Sequence, residues 1–433
     1  MTSRVSAGST ASAPDPSGTG HPDTGRSGTG RSGTGHAALK LVAVLLVAGC
    51  LRPALTSVGP VLDMIGADTG LGTTALGVLG ALPLLAFAVL SPLVHVPGQR
   101  FGAERVVLWA LAALAAGIVV RSLPGAAWLW AGTALVGAAI AVGNVLVPSI
   151  VKRDHPGAVS RVTGGYTSVM TGFAALASGV AVPIAVATGD GWRWSLAVWA
   201  GPAVVAAAVW ALRMRGTRAR AAAATAAAAA PDAPATRERP VWRSAIAWQV
   251  TLFMGLQSTA FYLMVTWLPT IETARGVNAG AAGWYLFLFQ AVGIVSGLAV
   301  TAVMGRRADQ RAVGALVSVP MAAAMAGMLW APGWSPVWAV IAGISSGGSI
   351  VVALALIGLR TRTFLHTAKL SGMAQSVGYL LAATGPIAAG WLADSSGSWT
   401  PVLVLIAVLA LAQACVALWA GRDRYTHPEP VNA

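Results

Sequence analysis

A chain of 433 residues in which 56% are hydrophobic and only 10% are charged is too apolar for a soluble protein, where about a quarter of the residues are charged. The formal net charge of +14 would suit a nucleic-acid-binding protein. However, nearly all Lys and Arg residues lie in the two tails and in alternate loops between long apolar segments, which is a pattern of membrane topology. The composition therefore excludes a soluble domain, and the charge distribution excludes a nucleic-acid partner.

Twelve apolar segments are each close to the ~20 residues that a membrane-spanning helix needs. In chain order they cover residues 38–62, 74–95, 105–121, 127–151, 162–187, 194–213, 244–270, 280–304, 311–330, 336–358, 370–393 and 399–420. The apolar runs are continuous and lack the alternation of a transmembrane barrel. We therefore predict an all-α integral membrane protein with about twelve transmembrane helices.

The positions of the basic residues predict the orientation of these helices. Lys and Arg occupy both tails and the loops after the even-numbered spans, whereas the loops on the other side carry only Arg121, Arg193 and Arg275. Cytoplasmic loops hold the excess of Lys and Arg in membrane proteins. We expect a multi-pass protein of the plasma membrane with both termini in the cytoplasm.

A polar segment in the middle of the chain divides the spans into two sets of six. Residues 214–243 are rich in Arg, Ala and Pro and interrupt the hydrophobic pattern, and the N-terminal residues are rich in Gly, Ser and Thr. The predicted organisation is a disordered cytoplasmic tail (1–37), an N-terminal six-helix bundle (38–213), a cytoplasmic linker (214–243), a C-terminal six-helix bundle (244–421) and a cytoplasmic tail (422–433).

The two halves share short patterns that indicate an internal duplication. Arg52 in the first span and Gln257 in the seventh lie at similar depths, and the basic loops at 98–105 and 305–311 occupy corresponding positions. Transporters are often built from two related halves with the binding site between them. We therefore predict two pseudo-symmetric bundles, with Arg52 and Gln257 at equivalent positions that face a central cavity.

These patterns also carry a resemblance to a known family. Six plus six helices around a long basic central loop resemble the major facilitator superfamily, and the two short basic loops are similar to its cytoplasmic Gly-x-x-x-Asp-Arg-x-Gly-Arg motif. More specifically, the chain resembles the branch that contains cyanate and 2-nitroimidazole transporters. The stretches that carry this resemblance are 51–60, 143–153, 253–269 and 371–379, and they extend over the whole membrane region.

Arg52 is the most informative single residue, because the hydrophobic pattern places it near the middle of the first span. A guanidinium at that depth costs ~2.5–3.5 kcal/mol on insertion scales and needs a partner or a function. One interpretation is an arginine that bonds to neighbouring carbonyls and holds helices together. The interpretation that we favour is an arginine that binds an anion in a water-filled cavity.

Polar side chains in spanning helices normally face the interior of the bundle, so they are the candidates for a solute site. Several alternatives stay open: the threonines can bond back to their own helix, and Gln257 and Asn144 can tie helices together. Pro53 and Pro60 free backbone carbonyls in the first span, which suits either a cavity lining or a plain kink. The predicted substrate-binding residues are Arg52, Thr56, Asn144, Thr167, Thr171, Gln257, Tyr262, Gln375 and Tyr379.

Motifs of ATP-driven pumps, hydrolases, zinc proteases and thiol redox enzymes are absent from the sequence, so we expect no enzyme activity. Cys50 and Cys415 both lie inside spans, which leaves no metal-ligand pattern, and we expect no cofactor. No acidic residue lies in the middle of a predicted span, so the sequence shows no proton site. Two alternatives stay open: transport is not coupled to protons, or protons are the coupling ion and Asp63 is the carboxylate that carries them.

The leading hypothesis is a secondary active transporter or facilitator that moves a small anionic or polar organic solute by alternating access. The resemblance implies cyanate-like or nitroimidazole-like solutes. One alternative is a drug or metabolite exporter of the same superfamily, and another is a non-transporting membrane sensor. We expect the partners to be the solute and the lipid bilayer, and the protein to be a monomer.

Overall fold

A computed structural model describes residues 30–155, 158–189, 191–224, 240–304 and 309–426. Twelve of its helices are long and apolar enough to cross a membrane, and no strand occurs among the described residues. The helices of spans 1 to 12 are Gly30–Leu51 with Pro53–Thr56, Gly59–Val61 and Leu62–Thr69 (1), Thr73–Leu90 (2), Ala103–Arg121 (3), Ala126–Asp154 (4), Val159–Ala187 (5), Trp192–Ala197 with Ala200–Ala224 (6), Ala245–Thr273 (7), Ala279–Met304 (8), Arg311–Trp330 (9), Ser335–Leu359 (10), Phe364–Ser396 (11) and Thr400–Ala420 (12). The predicted fold class is confirmed.

The packing of the helices repeats between the two sets of six. In the first set, span 1 packs on spans 5 and 6, span 4 packs on spans 2 and 3, and span 3 packs on span 6. The same contacts recur six spans later, as 7 on 11 and 12, 10 on 8 and 9, and 9 on 12. Between the sets, span 2 packs on span 11 and span 5 on span 8, and a two-fold exchange of the halves converts one contact into the other. The chain therefore forms two pseudo-symmetric bundles.

Much of the segment that joins the bundles, and most of the N-terminal tail, lies outside the described residues. The helix of span 6 continues to Ala224, beyond the predicted start of the linker, and a short 3₁₀ turn at Val241–Arg243 precedes span 7. Span 6 ends and span 7 begins at the same side of the bundle, which we call the linker face. The opposite side is the far face.

Span 1 is interrupted in its middle, and its proline residues explain the interruption. Pro60 has no N–H to donate to the carbonyl of Thr56, and that oxygen instead accepts the hydroxyl of Ser178 in span 5 at 3.1 Å. The amide of Val58 donates to Leu55 rather than to Ala54, so the Ala54 carbonyl is also released from the helix. The break thus presents backbone acceptors to side chains of neighbouring spans, as the proline pattern allows.

The two halves meet closely toward the far face, where glycine allows backbone to approach backbone. A Cβ atom built on Gly59 of span 1 would lie 2.1 Å from the carbonyl oxygen of Val265 in span 7, and one on Gly77 of span 2 would lie 2.4 Å from that of Pro386 in span 11. Neither position tolerates a side chain while the halves stay in this arrangement.

Hydrogen bonds close the same face. The carboxylate of Asp63 in span 1 accepts the hydroxyls of Thr270 and Thr273 in span 7, each at 2.8 Å. At the same face, the carboxylate of Asp394 in span 11 accepts the amide of Thr74 in span 2 at 2.8 Å and its hydroxyl at 2.5 Å. We call these two sets of bonds the far-face latch.

Candidate functional site

Arg52 lies at the point where the helix of span 1 first breaks, between Leu51 and Pro53. Its side chain is half-buried, and its guanidinium carbon lies 5.1 Å from the centroid of the Phe261 ring in span 7. Among the described residues, no carboxylate or carbonyl pairs with this guanidinium. Its hydrogen-bond donors are therefore open to a solute, while one face of the group rests on an aromatic ring.

The ring under this guanidinium belongs to a cluster of aromatic side chains from four further spans. Phe261 contacts Tyr262 at a centroid separation of 5.1 Å and stacks on Phe289 of span 8 at 5.9 Å. Tyr379 of span 11 contacts Tyr262 at 6.5 Å and Phe87 of span 2 at 5.4 Å. Spans 2, 7, 8 and 11 thus contribute to one aromatic cluster beside the charge carried by span 1, and both bundles take part in it.

Of the predicted site residues, Tyr262 and Tyr379 belong to this aromatic cluster beside Arg52, and the phenol groups of both lie within electrostatic range of its charge. Gln257 lies one helical turn before Phe261 on span 7 and is buried. Its amide nitrogen donates to the hydroxyl of Ser258 at 2.6 Å.

Two other predicted residues donate to backbone carbonyls within the protein. The hydroxyl of Thr56 is buried and donates to the carbonyl of Ala174 in span 5 at 2.8 Å, which ties span 1 to span 5. Thr167 is exposed and donates to the carbonyl of Thr163, one turn earlier in its own helix, at 2.9 Å. These contacts correspond to the structural alternatives that the sequence left open.

The remaining predicted residues are half-buried. Gln375 donates to the hydroxyl of Ser371, one turn earlier on span 11, at 2.9 Å. Asn144 on span 4 and Thr171 on span 5 make no side-chain hydrogen bond to another described residue, so their polar groups stay available to water or solute.

Tyr166 of span 5 belongs to the same region, although the sequence analysis did not select it. Its side chain is 7% exposed, and its hydroxyl lies within electrostatic range of both Arg52 and Tyr379. An isolated tyrosine in an otherwise ordinary helix gives no periodic signal. A tyrosine that lies four residues before Met170 and between Thr163 and Thr167 could equally pack against a neighbouring helix, so its position in the sequence does not mark it as a site residue.

A second arginine near the break in span 1 is more buried than Arg52. Arg121, which the sequence assigned to the loop after span 3, is only 1% exposed and donates to the released carbonyl of Ala54 at 2.5 Å. This residue ends the helix of span 3, and its side chain turns into the bundle rather than toward water. The role of bonding to a carbonyl at the break, which was one interpretation of Arg52, belongs to Arg121.

Comparison with known proteins identifies the family. The model of the major facilitator superfamily matches residues 44–363, which is well over half of the chain. The chain belongs to the major facilitator superfamily. The resemblance inferred from the sequence patterns is therefore confirmed.

Individual relatives lie in the expected branch. The chain is 40% identical to an uncharacterised transporter, YycB, of Bacillus subtilis (strain 168), over 88% of this chain and 93% of the relative. It is 39% identical to the 2-nitroimidazole transporter of Escherichia coli (strain K12), over 88% of this chain and 95% of that protein. Identity to the cyanate transport protein CynX of the same organism is 27%, over 82% of this chain and 90% of the relative.

Solved structures agree on the fold. A bacterial homologue of the human lysosomal transporter Spinster, in an inward-facing and unoccupied conformation, superposes with a TM-score of 0.73 at 15% identity, and the match covers 90% of this chain and 98% of that one. A D-xylose–proton symporter gives a TM-score of 0.71 at 12% identity, covering 90% and 99%. The family match and the transporter relatives make the chain a multi-pass membrane transporter of a small solute rather than an enzyme.

Proposed function

We propose that the transporter moves a small anionic or strongly polar organic solute by alternating access, and that Arg52 is its principal contact. The observation that carries this proposal is the state of the Arg52 guanidinium, which is half-buried between the bundles, stacked on Phe261 and free of any protein counter-charge among the described residues. An arginine held in this way offers a fixed fork of donors to a planar anion.

The surroundings of Arg52 favour a flat solute. Aromatic faces bind planar groups by offset stacking, and Tyr262 and Tyr379 add hydroxyl groups beside the charge. Carboxylates, nitro groups and cyanate all place their electron-rich atoms in a line or plane, which suits the edge of a guanidinium. The relatives that transport 2-nitroimidazole and cyanate support solutes of this class.

The arrangement of the halves supports the alternating-access part of the proposal. Among the described residues, several hydrogen bonds between the bundles lie on the far-face side or at mid-depth: Asp63 to span 7, Asp394 to span 2, and Gln290 of span 8 to Ser178 of span 5. The bonds that we describe therefore hold the far face closed. Rocking of the bundles about the central site would open that face and close the linker face.

We further propose that both termini and the linker lie in the cytoplasm, that the protein acts in the plasma membrane, and that it is a monomer. The charge distribution supports the orientation. Cysteines introduced at Thr225 in the linker and at Ser395 on the far face should react with impermeant reagents from opposite sides. Labelling of both from one side would contradict this topology.

The structure offers a candidate carboxylate for proton coupling. Asp63 is exposed at the far face and bonded to two threonines across the interface, so protonation would weaken the latch on the side from which protons arrive. We propose it as the group that links proton binding to opening. Uptake that persists unchanged in Asp63→Asn under an imposed proton gradient would contradict that role.

The experiment that tests the proposed function is a ligand screen followed by transport. Purified protein is melted in the presence of cyanate, 2-nitroimidazole, aromatic carboxylates and cationic drugs, since a ligand at 100 times its Kd stabilises a protein by about 2.7 kcal/mol. Solutes that raise Tm are then tested for uptake into proteoliposomes.

Arg52→Gln removes the proposed contact and should lose both the shift and the uptake. Arg193→Gln is the matched control, because it also removes one arginine but breaks far-face contacts, an ion pair with Asp68 and a cation–π contact with Trp192. Stabilisation by cationic drugs alone, unchanged in Arg52→Gln, would overturn the proposal in favour of a drug exporter.

A further inference from the structure

Arg121 borders a small cavity that lies between the two bundles, and Arg52 is not among the residues that line it. Spans 1, 2, 3, 4, 6 and 7 all contribute to its lining, and the space open to the centres of water molecules is about 30 Å³. A cavity needs roughly 10–15 Å³ by this measure to hold one water molecule. The cavity therefore has room for one or two occupants the size of water, and a substituted aromatic solute exceeds that room.

The chemistry of this cavity is set by the guanidinium. One nitrogen of Arg121 donates to the carbonyl of Ala54 at 2.5 Å, while Nε and the other terminal nitrogen are buried and have no partner in the described protein. The side chain is only 1% exposed, and no carboxylate lines the cavity among the described residues. A buried positive charge with two unused donors and no counter-charge is costly, because desolvation penalises it and nothing in the protein offsets that penalty.

The rest of the lining suits a single small anion. Thr133 of span 4, Thr266 of span 7 and Tyr262 contribute hydroxyl groups, and all three residues are buried. The remaining lining residues are largely aliphatic, for example Leu129 and Leu196, and would exclude bulk water from the site. Positive charge, hydroxyl donors and an apolar wall together complement a halide ion better than they complement water, which would leave the charge unbalanced.

We propose that Arg121 holds a resident monovalent anion of halide size, with chloride as the physiological occupant. Since the cavity is lined by spans of both bundles, the bound ion stabilises the arrangement in which the far face is closed. This site is separate from the proposed solute contact at Arg52, although Tyr262 borders both. Loss of one site therefore leaves the other testable.

The test compares anions that enter the cavity with one that does not. The purified protein is melted in sodium chloride, sodium bromide and sodium gluconate at equal ionic strength, with no organic solute present. Gluconate is too large for the cavity and serves as the reference salt. We expect both halides to raise Tm by about 2 °C or more over gluconate. Equilibrium dialysis with radioactive chloride should find one saturable ion per chain.

Variants then assign the effect to Arg121. Arg121→Gln keeps a donor for the Ala54 carbonyl but removes the charge, so it should abolish the halide shift and the bound chloride. Arg52→Gln is the matched control and should retain both. Equal melting of the wild-type protein in halide and gluconate would overturn the proposal even if Arg121→Gln does not fold. So would a halide shift that survives in Arg121→Gln or disappears in Arg52→Gln.

Discussion

The far-face latch makes a quantitative prediction about the balance between conformations. Replacing Asp63 by alanine removes two hydrogen bonds between span 1 and span 7, each 2.8 Å long, without touching the central site. A typical hydrogen bond contributes about 0.5–1.5 kcal/mol net, so the closed far face should lose about 1–3 kcal/mol. That loss corresponds to a shift of about 5–150-fold toward the conformation in which the far face is open.

The measurement is a distance distribution between spin labels at the far face. Ala67 near the end of span 1 and Ala274 after span 7 are both exposed there, and each is replaced by cysteine. Cys50 and Cys415 are first replaced by alanine, since both are free thiols. The wild-type latch should give a dominant short distance by double electron–electron resonance, and Asp63→Ala should add a longer one.

The control for this experiment is Asp68→Ala. Asp68 carries the same charge at the same face, but it pairs with Arg193 within the N-terminal half at 2.7 Å. Its removal should leave the distance distribution unchanged. Asp394→Ala breaks the second set of latch bonds, those to Thr74, and should act like Asp63→Ala, with a larger effect in the double variant. If Asp63→Ala and Asp68→Ala gave the same distribution, the latch would not hold the far face closed.

Three further predictions concern packing and the site. Ser178→Ala removes the hydroxyl that bonds the released Thr56 carbonyl and accepts from Gln290, and should cost about 1–3 kcal/mol in thermal denaturation, whereas Thr167→Ala on the same helix should cost almost nothing. Gly347→Ala places a Cβ within 2.0 Å of the Gly293 oxygen and should destabilise the folded protein by about 1–3 kcal/mol. Gly201→Ala, where the space beside the glycine is open, should not destabilise it. Equal melting temperatures of the two variants would refute the packing account. Phe261→Leu removes the ring under Arg52 and should weaken binding of an anionic solute, while Phe261→Tyr keeps it; equal Kd values would show that the ring does not position Arg52.

The spans and their order followed directly from hydropathy, because a helix in lipid must be continuous and apolar over about twenty residues. Span 1 shows both the reach and the limit of that reasoning. Its prolines predicted released carbonyls, and the Thr56 carbonyl is indeed bonded by a side chain. That side chain belongs to Ser178, which lies 122 positions away in the sequence. The pairing depends on how spans 1 and 5 pack, and the sequence pattern does not give that packing.

Arg121 shows that the position of a residue in the hydropathy pattern does not determine its burial in the structure. The residue follows an apolar segment and precedes a short polar turn, which is the usual pattern of a loop arginine. Hydropathy gives no direction for a long side chain at a helix end. The close contact of span 3 with span 4, where Gly132 faces the backbone of Arg121, turns this side chain inward.

Part of the candidate site could be predicted from the sequence, because polar groups inside a span are costly. Arg52, Tyr262 and Tyr379 are polar or aromatic groups at depths where such groups are expensive, and the structure brings them together. Thr56 and Thr167 are also polar residues inside spans, but a short hydroxyl side chain can donate its hydrogen bond to a backbone carbonyl of a helix and needs no solute. The partner of a hydroxyl group cannot be read from spacing alone.

The most direct test of the central claim measures transport and stability together in Arg52→Lys and Arg52→Ala. Each variant is purified, melted in detergent and assayed for anion uptake in proteoliposomes at equal protein content. Because the Arg52 guanidinium has no protein hydrogen bond among the described residues, its removal should leave Tm near the wild-type value. Uptake should fall sharply in Arg52→Lys, which keeps the charge but loses the fork of donors, and should vanish in Arg52→Ala. A large fall in Tm for both variants, with residual uptake in proportion to folded protein, would contradict the role of Arg52 as the solute contact.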